Sequence, residues 1–177
     1  AQLGLAPVPF GNTPHGSHSY FMSPNYFVGL EEDYDLGLVF NRQLHDNWRL
    51  DLGFFKNDDH GGIDGGAQDR EDRYSVDIVG VRSQNEGLFD APNQKLAEYN
   101  TFVGRYAYQF DHQFSNTQVG FSLLHGGLHN GVTSEGNYKA WAVHISSQIK
   151  QWHLHFQHTQ YEYQLGDVQQ IAIGANA

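Results

Sequence analysis

The stretch from Tyr34 to Phe55 constrains the fold of this chain most strongly, because it carries the same alternation on both sides of a short polar break. Large apolar side chains occupy every second position in each half, and polar residues or glycine occupy most positions between them. A strand sends successive side chains to opposite faces, whereas a helix repeats about every 3.6 residues. The stretch therefore predicts two antiparallel strands, joined by a turn from His45 to Asn47, with one apolar face and one polar face.

Two later hairpins are predicted from the same alternation. The strands of the second hairpin are expected at residues 102–110 and 119–123, and those of the third at 141–145 and 152–156. A glycine-rich loop is predicted between them at residues 125–137. Short turns thus alternate with longer loops along the chain, which is the asymmetry of outer-membrane barrels.

The connection between the first and second hairpins tests this arrangement. If all short turns share one rim of a barrel, an even number of barrel strands has to lie between Phe55 and Tyr99. A single further strand, Arg73 to Val81, is predicted there. It then belongs to the excursion of the long loop, unless one short turn lies at the other rim.

The beginning of the chain predicts a strand that runs into a loop. AQLGLAPVPFG alternates weakly and ends at two prolines and a glycine, which cannot continue a central ladder. Residues 12–32, rich in glycine, proline, serine and aromatic residues, predict a long ordered loop or a segment folded inward, with an ordinary surface loop as the alternative.

Composition excludes several classes of function. Aromatic residues make up 14% of the 177 residues and glycine contributes 20, which is typical of a β-rich chain with many turns. No apolar run approaches the length of a membrane helix. The absence of cysteine excludes disulfides, thiol catalysis and zinc–thiolate sites. The formal charge of −10 argues against nucleic acid as a partner.

The two faces of the predicted strands distinguish a soluble protein from a membrane barrel. A soluble sandwich or lipocalin-type barrel would bury the apolar face, whereas a membrane barrel turns it toward lipid. Aromatic residues such as Tyr34, Trp48 and Trp152 stand near predicted strand ends, as an interfacial girdle requires. The opposite face carries glycine, histidine, glutamine and single charges, which suits a water-filled lumen. The pattern favours the membrane barrel.

Several segments resemble one known family. QLGLAPVPFG, GLEEDYDLGLVF, WRLDLGFFKNDD and DRYSVDIVGV are similar to segments of Gram-negative outer-membrane porins of the phosphate-selective porin O and P family. The resemblance covers nearly the whole chain and implies an all-β fold, an antiparallel transmembrane β-barrel of roughly sixteen strands, of which this chain supplies about eight. It also implies a homotrimer. The family's phosphate selectivity is not transferred, because few basic residues lie on the predicted lumen face.

The sequence contains no strong combination of side chains for catalysis or for metal binding. His153 and His155 share one predicted strand face about 7 Å apart, with His144 on the same face of the paired strand. A metal site needs three or four converging ligands, and the sequence does not identify such a set. Polar lining is the simpler interpretation, so no metal and no cofactor are expected. No spacing marks a nucleophile with its base, so no catalytic residues are expected and the chain is not predicted to be an enzyme.

We therefore expect a single β-barrel porin domain over residues 1–177, incomplete at both ends, in the outer membrane of a Gram-negative cell. It would allow passive diffusion of small hydrophilic solutes or ions and would contact outer-membrane lipid and lipopolysaccharide. A soluble all-β module that binds a ligand or glycan is the alternative, and a structural barrel with a plugged lumen is a third possibility. The predicted pore-lining residues are Arg49, Asp51, Arg105, Gln109, Gln118, Lys139, His144, His153, His155 and Gln157.

Overall fold

The computed structural model describes residues 1–12, 34–57, 78–81, 94–129 and 134–165, which form a single antiparallel sheet with its turns and one short inner segment. The strands are β1 (Gln2–Pro7), β2 (Tyr34–His45), β3 (Trp48–Asn57), β4 (Ile78–Val81), β5 (Gln94–His112), β6 (Ser115–His129), β7 (Ser134–Ile149) and β8 (Trp152–Leu165). The order across the sheet is β1-β2-β3-β5-β6-β7-β8. The prediction of an all-β, antiparallel architecture is confirmed. Nowhere in the described ranges does a helix occur that is long and apolar enough to cross a membrane.

The three predicted hairpins are β2–β3, β5–β6 and β7–β8, each closed by a turn of two residues. In the first hairpin His45 already pairs with Trp48, so the turn is one residue shorter than predicted. Because β3 pairs antiparallel with β5 and β6 with β7, all three turns lie at one end of the sheet. We call this end the short-turn rim and the opposite end the far rim.

Strand β4 resolves the parity question. It pairs with residues 94–97 of β5, whereas β3 pairs with β5 from Tyr99 to Tyr108, so β4 continues the line of β3 beyond its end. It adds no step to the strand order, and the short turns share one rim as predicted. Of the strand predicted from Arg73 to Val81, residues 78–81 are strand, and residues 73–77 lie outside the described part.

The loop predicted at residues 125–137 is wrong for most of its length. Strand β6 runs to His129 and β7 begins at Ser134, with an unbroken ladder between them apart from one register shift. The glycines that suggested a loop have another role, because a side chain at Gly126 or Gly127 would collide with the rings of Tyr138 and Tyr99. Glycine here makes room for aromatic packing within a strand.

The sheet is open in the part of the chain that the structure describes. β1 pairs with β2 alone and β8 pairs with β7 alone, so the two edge strands do not meet. Closure into a barrel therefore stays a prediction, while the strand order and the antiparallel pairing are structural facts.

The two faces of the sheet differ sharply in burial. One face, which we call the covered face, holds the buried cluster of apolar residues, for example Val39, Phe55 and Leu124, each at most 3% exposed. The other, which we call the outer face, carries large hydrophobic side chains that are exposed, such as Leu38 at 47% and Leu123 at 54%. The face with the richer apolar pattern is thus the one turned away from the packed interior.

A short segment that follows β1 lies on the covered face. β1 ends at Pro7, and the next residues, Val8 to Asn12, turn inward rather than continue along the edge. Pro7 and Pro9 lack the backbone N–H that a ladder needs, which explains why the strand stops here. We call the segment from Val8 to Asn12 the strap. The predicted strand end is confirmed, whereas residues 13–33, which include most of the predicted loop or inward segment, lie outside the described part.

Candidate functional site: a charged cluster beneath the strap

The register of the sheet brings charged side chains together near the middle of the covered face. Asp51 on β3 pairs with Arg105 on β5, and Arg105 pairs with Ser122 on β6. In the next row toward the short-turn rim, His144 on β7 pairs with Gln157 on β8. Residues in register on one face of a sheet have adjacent Cβ atoms, so strands distant in sequence supply neighbouring groups.

Arg105 is the centre of this cluster. Its side chain is 1% exposed, and its Nη1 donates to Asp51 Oδ2 at 3.0 Å. Nη2 donates to Gln118 Oε1 at 2.6 Å and to His144 Nε2 at 3.1 Å, and Nε donates to the Gly11 carbonyl oxygen at 2.8 Å. A buried guanidinium is tolerated only when its donors are satisfied by well-placed partners, and here four acceptors surround it.

Asp51 is equally well satisfied. Its side chain is fully buried, and it accepts hydrogen bonds from Arg105, from Arg49 Nε at 2.9 Å and from Asn41 Nδ2 at 2.8 Å. Arg49 is about half exposed, so it connects the buried carboxylate to the solvent-accessible part of the covered face. Two cations share one carboxylate, and the arrangement fixes the position of both.

The hydrogen bonding defines the state of His144. A guanidinium only donates, so Nε2 of His144 has to accept, which places the ring proton on Nδ1 and leaves the imidazole neutral. The ring lies against Gly120 of β6, where an added Cβ would fall far inside van der Waals contact with the imidazole. Glycine at position 120 is therefore required for this ring to fit.

The strap is tied to the sheet through its backbone. The Gly11 N–H donates to Ser122 Oγ at 3.0 Å, and the Asn12 N–H donates to Gln157 Oε1 at 2.8 Å. Asn12 Nδ2 also donates to the Phe156 carbonyl oxygen at 3.1 Å. Gly11 has φ +66°, in the left-handed region, and a Cβ there would overlap the side chain of Gln157, so two independent constraints favour glycine.

The covered face is open toward the short-turn rim. Two rows of polar side chains lie there, exposed or half-buried, and we call them the polar ledge. Gln109 Nε2 donates to Asp111 Oδ1 at 3.0 Å within the ledge. The ledge consists of Gln109, Gln118, Ser146, His155, Asp111, Asn116, Gln148 and His153.

The structure places nine of the ten predicted pore-lining residues on one face. Asp51, Arg105 and His144, expected to contact water, are instead buried at 0–1% exposure. The remaining six members of the common face are exposed or half-buried: Arg49, Gln109, Gln118, His153, His155 and Gln157.

Lys139 is the exception, and the sequence-based placement is corrected. Buried Tyr138 and Ala140 flank it on β7, so Lys139 points to the outer face, as do Trp141 and Val143. There its Nζ forms an ion pair with Glu162 at 3.1 Å. The alternation that places Trp141 and Val143 on the outer face also places Lys139 there, two residues earlier in the strand.

The three histidines do not converge. His144 is buried opposite Gln157, His155 lies opposite Ser146, and His153 lies opposite Gln148. Within the described ranges, no three histidine, cysteine, aspartate or glutamate side chains are grouped so that they could hold a metal ion.

Comparison with known proteins returns no relative. No family model, no curated protein and no solved structure matches this chain.

Proposed function

We propose that this chain is part of a Gram-negative outer-membrane porin that allows passive diffusion of small hydrophilic solutes or ions. One observation carries the proposal: twenty-two large hydrophobic side chains of the described residues are at least 36% exposed, and nearly all stand on the outer face. Soluble monomers rarely expose an apolar patch of this extent. In a bilayer the apolar outer face would contact lipid, while the covered face could carry charged and polar side chains.

The course of the apolar residues across the outer face supports a membrane partner. On β2 the apolar run is centred on Leu38, and on β8 it is centred on Leu154. If the paired residues are followed across the sheet from Leu38, through β3 and β5, they lead to His125 on β6. If they are followed from Leu154, through β7, they lead to Thr117 on β6. The apolar band therefore shifts by eight residues over five strand-to-strand steps, or about 1.6 residues per step.

This shift corresponds to a definite tilt. With about 3.3 Å per residue along a strand and about 4.8 Å between strands, 1.6 residues per step means that the strands cross the band at roughly 45–50°. Transmembrane β-strands are tilted by roughly 35–45°. A band of constant height in a bilayer thus accounts for the diagonal pattern, and it also explains Lys139, which lies on the outer face but past the edge of the band.

Aromatic residues collect at one edge of the band. Near the short-turn rim, Trp48 stacks on Tyr106 with ring centroids 4.8 Å apart and packs against Tyr108 at 4.3 Å. Trp152, the first residue of β8, is 65% exposed beside the same rim. Such belts lie at the headgroup level of membranes. In outer-membrane barrels the short turns are periplasmic, so the far rim is assigned to the cell exterior.

The polar ledge and Arg49 would meet the solutes. In a porin the size of the lumen and the side chains that line it set the preference among solutes. The net charge of −10 favours cations and neutral solutes over anions at the mouth. The buried pair of Arg105 and Asp51, by contrast, is satisfied within the protein, and Arg105 also bonds the strap.

The experiment is reconstitution of the full-length protein into planar bilayers, together with purification with and without detergent. We expect folded protein only in detergent or lipid, and discrete channel steps in bilayers. A folded, monodisperse protein in plain buffer would support the soluble all-β binding module instead. Folded protein in lipid without any conductance would support the structural barrel with a plugged lumen, which the strap on the covered face makes a specific candidate.

A further inference from the structure

A groove lies on the outer face where β5 carries a glycine in place of a large side chain. Gly104 pairs with Leu52 of β3 on one side and with Leu123 of β6 on the other, and both leucines are exposed. A Cβ at position 104 would have its nearest neighbour, the Leu52 side chain, 3.7 Å away. The missing side chain leaves space between two apolar walls, in a groove of about 860 Å³ that we call the outer groove. Small-molecule sites typically measure about 300–1,000 Å³.

The lining of the outer groove changes from apolar to polar. Phe102 and Trp141 extend the apolar walls. In the row of paired residues next toward the far rim, His125 pairs with Lys139, and Lys139 pairs with Glu162. All three line the groove, and they stand where β6, β7 and β8 leave the apolar band. The outer groove is therefore amphipathic, with its polar end toward the far rim.

Lys139 and His125 supply nitrogen donors at this polar end. Lys139 Nζ is 3.1 Å from a carboxylate oxygen of Glu162, and both side chains are about half exposed. An ammonium carries three N–H donors, so one ion pair does not use all of them. His125 Nδ1 donates to the Tyr138 carbonyl oxygen at 3.1 Å, which leaves Nε2 as the ring nitrogen for a ligand, and in the protonated ring it also donates.

A lipid with a phosphorylated sugar head matches these features. Its acyl chain matches the apolar walls, and basic residues beside the hydrocarbon edge attract anionic head groups. A phosphate monoester carries a charge of about −1.5 to −2 at pH 7, so it competes with the single charge of Glu162 for Lys139. Glu162 and Gln160, which also line the groove, supply oxygen acceptors for sugar hydroxyl groups.

We propose that the outer groove binds one molecule of an acylated, phosphorylated sugar, the chemistry of the lipid A part of lipopolysaccharide. An acyl chain lies over Gly104 between Leu52 and Leu123, and a phosphate binds Lys139 and His125. This inference rests on the proposed porin function, which assigns the far rim to the cell exterior. It goes beyond general contact with lipid, because it assigns one site with a defined polar end.

The first test measures the affinity of the protein, folded in detergent, for purified lipid A by native mass spectrometry. Lys139→Gln removes the cation of the polar end, and we expect an affinity about fivefold lower, the effect of one basic residue beside a membrane surface. Lys150→Gln is the matched control, because Lys150 is an exposed lysine in the turn between β7 and β8, at the short-turn rim. It should bind lipid A as the parent does. Equal affinities of the two variants would overturn the site.

The second test changes the lipid. Lipid A without its phosphates should bind the parent more weakly than intact lipid A does, and it should no longer distinguish the parent from Lys139→Gln. Phosphatidylethanolamine, which has acyl chains but no sugar, should also bind more weakly. If either of these lipids bound as tightly as intact lipid A, the assignment of a phosphorylated sugar would be overturned.

The third test fills the groove. Gly104→Leu places a side chain where the acyl chain lies, and we expect an affinity for lipid A roughly tenfold lower, as for the lost burial of about two methylene groups. Ser147→Leu is the control, because it adds the same side chain to the outer face near the short-turn rim. Circular dichroism in detergent shows whether each variant is folded. Equal affinities of the two folded variants would contradict the proposal.

Failure of the site and failure of the porin function have different outcomes. Parent protein that is folded in detergent but binds no lipid A would overturn the site and leave the porin function standing. Parent protein that is folded and monodisperse in plain buffer would count against the porin function itself.

Discussion

Neighbouring residues on β3 show how differently the two faces of this sheet are built. Asp51 is fully buried and bonded to two arginines and an asparagine, whereas Leu52, the next residue, is 44% exposed. In a soluble protein the two environments would be exchanged. The difference shows that polarity and burial are uncoupled at these two positions. Under the proposed function, an apolar medium would cover the outer face.

The covered face itself divides into two regions. Toward the far rim the strap and the apolar cluster pack together, while toward the short-turn rim the polar ledge stays open. The charged cluster of Arg105 and Asp51 lies between them. Its position at this boundary explains how one guanidinium can hold the strap and still contact Gln118 of the ledge.

The largest effect is expected where the buried charges are separated. Arg105→Leu leaves the buried Asp51 without the buried cation that pairs with it. Removing one partner of a buried pair typically costs about 3–5 kcal/mol. We expect a loss of this size in the free energy of unfolding by urea in lipid vesicles, followed by tryptophan fluorescence. The double variant Asp51→Asn, Arg105→Gln removes both charges and should lose less. A single variant as stable as the parent would show that the cluster does not stabilise the covered face.

A charge introduced on the outer face should destabilise the protein, because it would have to enter the lipid. Leu52→Arg places a cation within the apolar band, and in transmembrane barrels this costs about 2–4 kcal/mol near the bilayer midplane. The control is Gln109→Arg, which adds the same side chain on the polar ledge and should cost little. Both are measured as folding efficiency into vesicles. If Leu52→Arg folds as well as Gln109→Arg, the outer face does not contact hydrocarbon.

Substitution of one glycine on each face compares how tightly the two faces are packed. Gly120→Ala would force a methyl group into the ring of His144 and should destabilise the protein by about 1–3 kcal/mol. Gly104→Ala points to the outer face, where the nearest atom would be 3.7 Å from the new Cβ, so it should be neutral or slightly stabilising. Urea unfolding midpoints of the two variants give the comparison. Equal losses would mean that the close approach of His144 to Gly120 does not occur.

Much of the fold is predictable from sequence because a strand has a period of two. Alternation over about five to nine residues in each strand identified all three hairpins, and the short polar breaks located their turns. The method failed at residues 125–137, where glycine is a packing device beside tyrosine rings. The placement of Lys139 was wrong for another reason: Lys139 lies two residues before Trp141, so the period-two rule itself puts it on the apolar face with Trp141 and Val143.

The candidate site was predictable only in part. Alternation placed Arg105, Asp51 and His144 on one face, but nothing in the local pattern shows that they are buried. The strap contacts Arg105 through the Gly11 carbonyl, and this contact spans 94 positions in the sequence. The two prolines and the glycine that close AQLGLAPVPFG indicated that the first strand ends, yet they could not indicate where the chain goes next. Ser122, Gly120 and Asn41 were missed for the same reason.

The smallest change in stability, and the sharpest test of the boundary between the two regions, comes from Arg49. Its guanidinium bonds Asp51 but is about half exposed, and ion pairs at such positions contribute about 0–1 kcal/mol. Arg49→Ala should therefore leave urea unfolding nearly unchanged.

Because Arg49 is the basic side chain that connects the buried cluster to the open part of the covered face, its loss should shift the reversal potential toward stronger cation selectivity. Arg42→Ala is the matched control, since Arg42 is an exposed arginine on the neighbouring strand that lies on the outer face. If both variants shift the reversal potential equally, the effect is one of overall charge, and Arg49 does not line the path.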